Sequence, residues 1–148
     1  MSAKPGRSEQ LIAQLQRSDI RPSAQRVAIA DFVLATSEHP TADQVWSRVK
    51  ADFPMVSRAT VYNTLQLFVE KGLLRQLVLA EGRAVFDPNT ERHHHFVDDE
   101  SGAIRDIPWS AIRVGSVDHL AGIDVREYSV VVRGRQLPTA SRNPKSRQ

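Results

Sequence analysis

The segment Glu91–Gly102 reads ERHHHFVDDESG. Three of the five histidines in the chain stand here in a row, and three consecutive acids follow them closely. Imidazole nitrogens and carboxylate oxygens together suit borderline divalent cations. If the run is a strand, alternation puts His93 and His95 on one face and His94 on the other. Two imidazoles on one face make half a metal site. The remaining donors must come from elsewhere: Asp87 upstream in FDPNT, Asp106 in IRDIP, and His39 in EHPTADQ. Two or three nitrogens with one or two carboxylates suit Fe(II), Mn(II) or Zn(II) in five- or six-coordinate geometry. Each donor also has a plainer reading. His39 reads as a surface residue before a helix, and Asp87 and Asp106 as solvated or capping carboxylates. His119 has no partner nearby in the sequence and reads as a surface residue. Asp98, Asp99 and Glu100 read as turn residues before Ser101-Gly102.

The chain has no cysteine. Disulfides, thiolate zinc sites and iron–sulfur clusters are therefore excluded, and any metal must be held by nitrogen and oxygen. No run approaches the ~20 apolar residues of a membrane helix. The opening MSAKPGRSEQ carries charge but no apolar core of a signal peptide, so the expected location is the cytoplasm. The net charge of +3 is unevenly distributed: residues 1–85 carry 11 Lys/Arg against 8 Asp/Glu, residues 86–132 carry 4 against 9, and residues 133–148 carry 5 against none. A basic front can meet a polyanion, and an acidic middle can hold a cation.

The elements that must position these residues follow from capping and periodicity. Pro22-Ser23 starts a helix with Ser23 as N-cap, and Val27, Ala30 and Leu34 follow at helical spacing. In HPTADQVW, Thr41 and Gln44 form a capping box, and Val45, Trp46, Val49 and Phe53 continue that helix. Pro54 breaks the chain. Ser57 then caps SRATVYNTLQLFVEKG, which ends at Gly72 and buries Val61, Leu65, Phe68 and Val69. The opposite face of this third helix carries Arg58, Tyr62, Asn63 and Gln66, with Ser57 and Thr60 at its start. All can hydrogen-bond and none is an acid. Such a helix after two short ones is a helix-turn-helix arrangement, with the third helix fit for the major groove. LLRQLVLA and RAVFD around Glu81-Gly82 read as a hairpin. A hairpin in that place is a wing, with Arg75 and Arg83 as phosphate contacts.

Pro88-Asn89 marks a turn and a hinge. Beyond it, HHHFVDD, GAIRDIP and DVREYSVVVRG are strand-like, with a weak helix or loop from Trp109 to Leu120. The fold class is α+β: an N-terminal winged helix-turn-helix domain over residues 1–87, then a small α/β dimerisation and metal-sensing domain over 88–134. Residues 135–148 read as a disordered basic tail.

RPSAQR, HPTADQVW, SRATVYNTLQLFVEKGLL, FDPNT and HHHF, in this order and spacing, resemble the ferric uptake regulator family over about residues 12–134. The resemblance implies a homodimeric metalloregulator that binds double-stranded DNA and usually represses transcription from an AT-rich inverted repeat. It places the regulatory metal site on His39, Asp87, His93, His95 and Asp106, which is the set already reached from spacing. It makes Tyr62 a base-contacting residue and Arg21 a minor-groove contact, where a narrow A-tract groove attracts an arginine.

Two departures qualify it, and a subgroup likeness refines it. Many members hold a structural zinc on two pairs of cysteines; here Asp98 and Ser101 occupy the first pair's places and the second pair is absent, so no such structural zinc is expected. A third site of the family falls on His94, Arg113 and Tyr128, which do not match its ligands. The cysteine-free pattern with HHHF is similar to two subgroups. One is the iron response regulators, in which the HHH run is a proposed haem contact; that would make His94 a candidate haem contact here. The other is the peroxide-sensing regulators, in which the last carboxylate is typically Asp, as Asp106 is, although iron response regulators also carry Asp there in some cases. The function expected is a metal-dependent transcription regulator, with Fe(II) or Mn(II) as its ion and Zn(II) as an in vitro substitute. It would control iron and haem homeostasis or oxidative-stress genes, the alternative mechanism being Fe(II)-catalysed histidine oxidation by peroxide. A metal-dependent enzyme is disfavoured, because no nucleophile or general base pair accompanies the ligands. A protein-interaction module with an incidental histidine patch is the other class considered.

Overall fold

The computed structural model describes residues 3–138. The chain divides into two compact units, Met1–Glu91 and Arg92–Gln148. The basic tail expected from residue 135 lies outside the described residues from 139 onward.

The first unit contains α1 (Arg7–Arg17), α2 (Ala24–Val33), α3 (Ala42–Lys50), α4 (Arg58–Glu70), β1 (Arg75–Val78) and β2 (Ala84–Asp87). The caps act as their chemistry demands. Ser23 Oγ accepts the Arg26 N–H, and Ser57 Oγ accepts the Thr60 N–H. Thr41 and Gln44 close a reciprocal capping box at the head of α3. Helix α1 has no counterpart in the sequence reading. Its signal is weak: Gly6 supplies no capping side chain, and only Leu11 and Leu15 are buried. Helix α4 buries Val61, Thr64, Leu65 and Phe68. Val69, expected on that stripe, is half-buried, and Thr64 takes part instead. Gly72 has φ +80°, the left-handed conformation that ends a helix without a Cβ clash.

These side chains form one apolar cluster that also takes in Ile29, Val33, Val45, Val49 and, from β2, Phe86. β1 and β2 pair antiparallel from Arg75 opposite Asp87 to Val78 opposite Ala84. The wing is thus anchored by Phe86 while its tip turns at Gly82, φ +81°.

The second unit is a three-stranded sheet in the order β4 (Ile104–Pro108), β3 (His93–Asp98), β5 (Val131–Gly134). β3 runs antiparallel to β4 and parallel to β5. Between β4 and β5 lie two 3-10 turns, Trp109–Ala111 and Val117–His119, where a weak helix or loop is expected. Of the run DVREYSVVVRG, only its end forms strand β5.

The β3–β4 connection holds itself without cysteines. Asp98 Oδ1 accepts the backbone N–H groups of Glu100 at 2.8 Å and Ser101 at 3.1 Å. Ser101 Oγ accepts the Ala103 N–H. Gly102, φ +75°, closes the turn by donating to the Asp98 carbonyl. The backbone bonds from Ser101, then Glu100, hold the Asp98 carboxyl below its usual range. A depressed folded-state value means that this stabilisation is present above about pH 4 and is lost as pH falls through the folded value. Asp98→Asn is therefore expected to lower the melting temperature at neutral pH, and the gap from the parent should close on acidification. A gap that stays constant with pH would show that the ionised carboxylate contributes nothing.

Candidate metal centre and nucleic-acid interface

In the first unit, the site begins with the backbone of His39. Its φ of +54° is left-handed, a conformation uncommon outside glycine but more tolerated by His, Asn and Asp. The next residue, Pro40, accepts at its carbonyl the Phe86 N–H at 2.9 Å. That bond ties the loop ahead of α3 to β2, one residue before Asp87. The His39 Nε2 and Asp87 Oδ2 atoms stand 3.1 Å apart, with side chains only 3% and 4% exposed. Asp87 Oδ1 accepts the Asn89 N–H, which fixes the carboxylate. A nearly solvent-free carboxylate and imidazole persist only when paired or metal-bound.

In the second unit, strand alternation divides the histidine run as expected. His93 and His95 share a face, and their Nε2 atoms lie 2.9 Å apart. Asp106, opposite His95 on β4, brings Oδ1 to 3.4 Å from His93 Nε2 and 3.8 Å from His95 Nε2. Two imidazole nitrogens and a carboxylate oxygen converging in this way suit a divalent ion that takes mixed nitrogen and oxygen ligands.

His94 lies on the other face and is fully buried. Its Nδ1 accepts the Val130 N–H at 3.0 Å, which places the ring proton on Nε2 when the ring is neutral. Its ring stacks on Trp109 at 4.5 Å and 15°. The Nε2 is buried and makes no hydrogen bond among the described residues. Trp109 in turn meets Tyr128 at 4.9 Å and lies under Arg92 at 5.2 Å. Tyr128 therefore joins an aromatic cluster. His119 is exposed in its 3-10 turn.

On the first unit's polar face, Tyr62 is half exposed and Asn63 is exposed, both on α4, whose first turn holds no acid. A groove of 630 Å³ is lined by Arg21, Ser23, Gln25, Arg26, Thr60 and Asn63 among others. It unites the expected minor-groove residue with the helix expected to face bases. Arg26 and Gln25 were missing from the sequence reading; their signal was their place in RPSAQR, directly behind the Ser23 cap. Arg26 donates to the Arg21 carbonyl at 2.7 Å and so orders that corner. Ser57 and Thr60 are engaged in the cap, with their hydroxyls 2.9 Å apart. Gln66 donates to Gln76 of β1 at 3.4 Å, a link from helix to wing that the sequence did not suggest. On the wing, Arg83 lies 3.4 Å from Glu81, and Arg75 is half-buried.

Helix-turn-helix, hairpin wing and a recognition helix whose first turn holds no acid define a winged-helix DNA-binding protein with candidate nitrogen and oxygen metal ligands. Residues 17–132 match the ferric uptake regulator family, and the chain belongs to that family. A peroxide-responsive repressor of Staphylococcus aureus (strain Mu50 / ATCC 700699) is 31% identical over 128 residues, spanning 85% of this chain and 86% of that protein. The Campylobacter jejuni peroxide stress regulator superposes with a TM-score of 0.62 at 25% identity, covering 88% of this chain and 96% of that one. The Vibrio cholerae ferric uptake regulator superposes at 0.68 and 21% identity, covering 84% and 98%, and supports the fold. The chain is thus a metal-dependent DNA-binding transcription regulator, in a family of dimeric DNA-binding proteins whose members are regulators rather than enzymes. No described helix is long and apolar enough to cross a membrane.

Tyr62→Ala is expected to weaken binding to a duplex selected from a random library by roughly tenfold, the scale of one lost base contact. Binding to unselected duplex should be nearly unchanged. Equal loss on both duplexes would show that Tyr62 does not read sequence.

Proposed function

We propose that this chain is a peroxide-responsive repressor in which His39, Asp87, His93, His95 and Asp106 together hold one divalent ion, Fe(II) or Mn(II). The observation that carries the reading is the convergence of the His93 and His95 Nε2 atoms, 2.9 Å apart, with Asp106 Oδ1 beside both. Neither donor group is complete alone: the first unit offers an imidazole and a carboxylate, the second two imidazoles and a carboxylate. Joined, they make the three-nitrogen, two-carboxylate set that five- or six-coordinate Fe(II) or Mn(II) accepts, and Zn(II) can substitute. The name of the 31% identical relative supports peroxide as the signal.

Fe(II) held by these residues would let hydrogen peroxide act as a two-electron oxidant of a neighbouring imidazole, one peroxide oxygen passing to a ring carbon and the other leaving as water. The protein's own part is to hold and to release. His39 sits one residue before the Pro40 carbonyl that anchors β2, and two before the Thr41 cap of α3. Asp87 ends the wing strand β2. Binding at these two residues therefore fixes the wing and the helix packed against α4 at the same point. An oxygen added to the ring of His39 or His93 weakens it as a nitrogen donor, and the wing and α3 lose that shared anchor. The operator expected is an AT-rich inverted repeat bound by a homodimer, with Arg21 in the minor groove.

Regulation by haem is the second reading. The buried His94 Nε2, without a hydrogen bond among the described residues, is the observation that favours it. The complete burial of that ring weighs against it.

Exposure of the Fe(II) form to hydrogen peroxide should add the mass of one oxygen atom to a peptide containing His39 or His93, with loss of DNA binding. The double substitution His93→Ala, His95→Ala should remove Fe(II) and Mn(II) from the protein, measured by elemental analysis. An unmodified mass, with a Soret band on haem addition that His94→Ala abolishes, would overturn the peroxide reading in favour of haem.

A further inference from the structure

Trp46 lies on α3, between the core and the solvent-facing start of α4. Its Nε1–H donates to the Val56 carbonyl at 3.0 Å, which locks the indole plane against the turn leading into α4. Two cations lie over that ring. Lys50 Nζ, one turn further along α3, is 4.5 Å from the ring centroid, and Arg58 Cζ, the first residue of α4, is 4.4 Å from it. Lys50 and Arg58 are both exposed. The acid against them is Asp43, 3.7 Å from Arg58 Nη1 and itself largely exposed. The Arg58 guanidinium is therefore directed toward α3, unlike Tyr62 and Asn63, and is badly placed to read a base edge.

We propose that Trp46 is a positioning residue that holds Arg58 and Lys50 as a pair of DNA-backbone phosphate contacts beside the recognition helix. The proposal rests on the DNA-binding reading above and extends it to Lys50 and Trp46, to which no motif in the sequence gives a part in DNA binding. The physical reason is preorganisation. Lysine and arginine lose much rotamer freedom when they grip a phosphate. An indole face attracts both cations and restrains them before DNA arrives, without neutralising their charge. Asp43 opposes them: it pairs with Arg58 in the free protein and repels a phosphate in the complex.

The test is the salt dependence of binding by the Mn(II)-loaded full-length protein to a short fluorescein-labelled duplex of mixed sequence, followed by anisotropy. Each lost phosphate contact lowers the slope of log K against log salt by about 0.9. Lys50→Gln and Arg58→Gln should each do so. Trp46→Phe, which keeps a ring, should retain most of the affinity. Trp46→Leu should weaken binding about as much as Arg58→Gln, and the double variant Trp46→Leu, Arg58→Gln should be little worse than either. Asp43→Asn should tighten binding roughly two- to threefold, the scale of relieving one repulsion near the phosphate. Circular dichroism melting identifies any loss that is merely unfolding; should Trp46→Leu unfold, the two charge variants and Trp46→Phe still decide. A steep slope in the parent protein that neither charge substitution changes would overturn the proposal and leave the DNA reading intact. A flat slope in the parent protein itself would overturn the DNA reading.

Discussion

The burial of His39 against Asp87 is the constraint on which the first unit turns. An imidazole and a carboxylate 3.1 Å apart and nearly closed to solvent demand a counterpart, a shared proton or a cation. The structure sustains this arrangement with a left-handed residue at His39 and a backbone bond from Phe86 to Pro40. Phe86 is also the wing's foothold in the core. The loop that carries His39 leads straight into the cap of α3, and α3 packs on α4. A local change at two buried side chains is therefore felt by the wing and by the helix that presents Tyr62. This is the kind of discrete, packed element through which a ligand biases a larger state.

Much of the architecture was legible in the sequence because the signals were local. Ser23, Thr41 and Ser57 announce helix starts through their own hydrogen bonds, and Gly72 and Gly82 mark left-handed stops. The alternation that separates His94 from His93 and His95 follows from strand geometry alone. Helix α1 was missed because its start has no capping side chain and its buried stripe holds only two residues. The fate of Arg58 was also hidden. Its i, i+4 spacing to Tyr62 puts it on the exposed face, yet the attraction of Trp46 and Asp43 turns its guanidinium toward α3. Such contacts between elements leave no periodic trace in a chain.

His94 shows the same limit from another side. Alternation assigns it the face away from His93 and His95, and that face was open to either solvent or packing. The stack on Trp109 and the bond from Val130 decide for packing. The Asp98 turn, by contrast, needed no long-range information. A carboxylate followed at two and three residues by backbone N–H groups closes on itself.

Everything proposed for the metal depends on the donors of the two units forming one centre. The most direct measurement is Mn(II) stoichiometry and affinity, by electron paramagnetic resonance titration, in the parent protein and in Asp87→Asn and His95→Ala separately. A shared centre predicts one tightly held ion per chain, weakened in each single variant by at least ~10-fold, as the loss of one ligand from such a site requires. Retention of a full, tight equivalent in either variant would mean that one donor set binds without the other, and would contradict a shared centre.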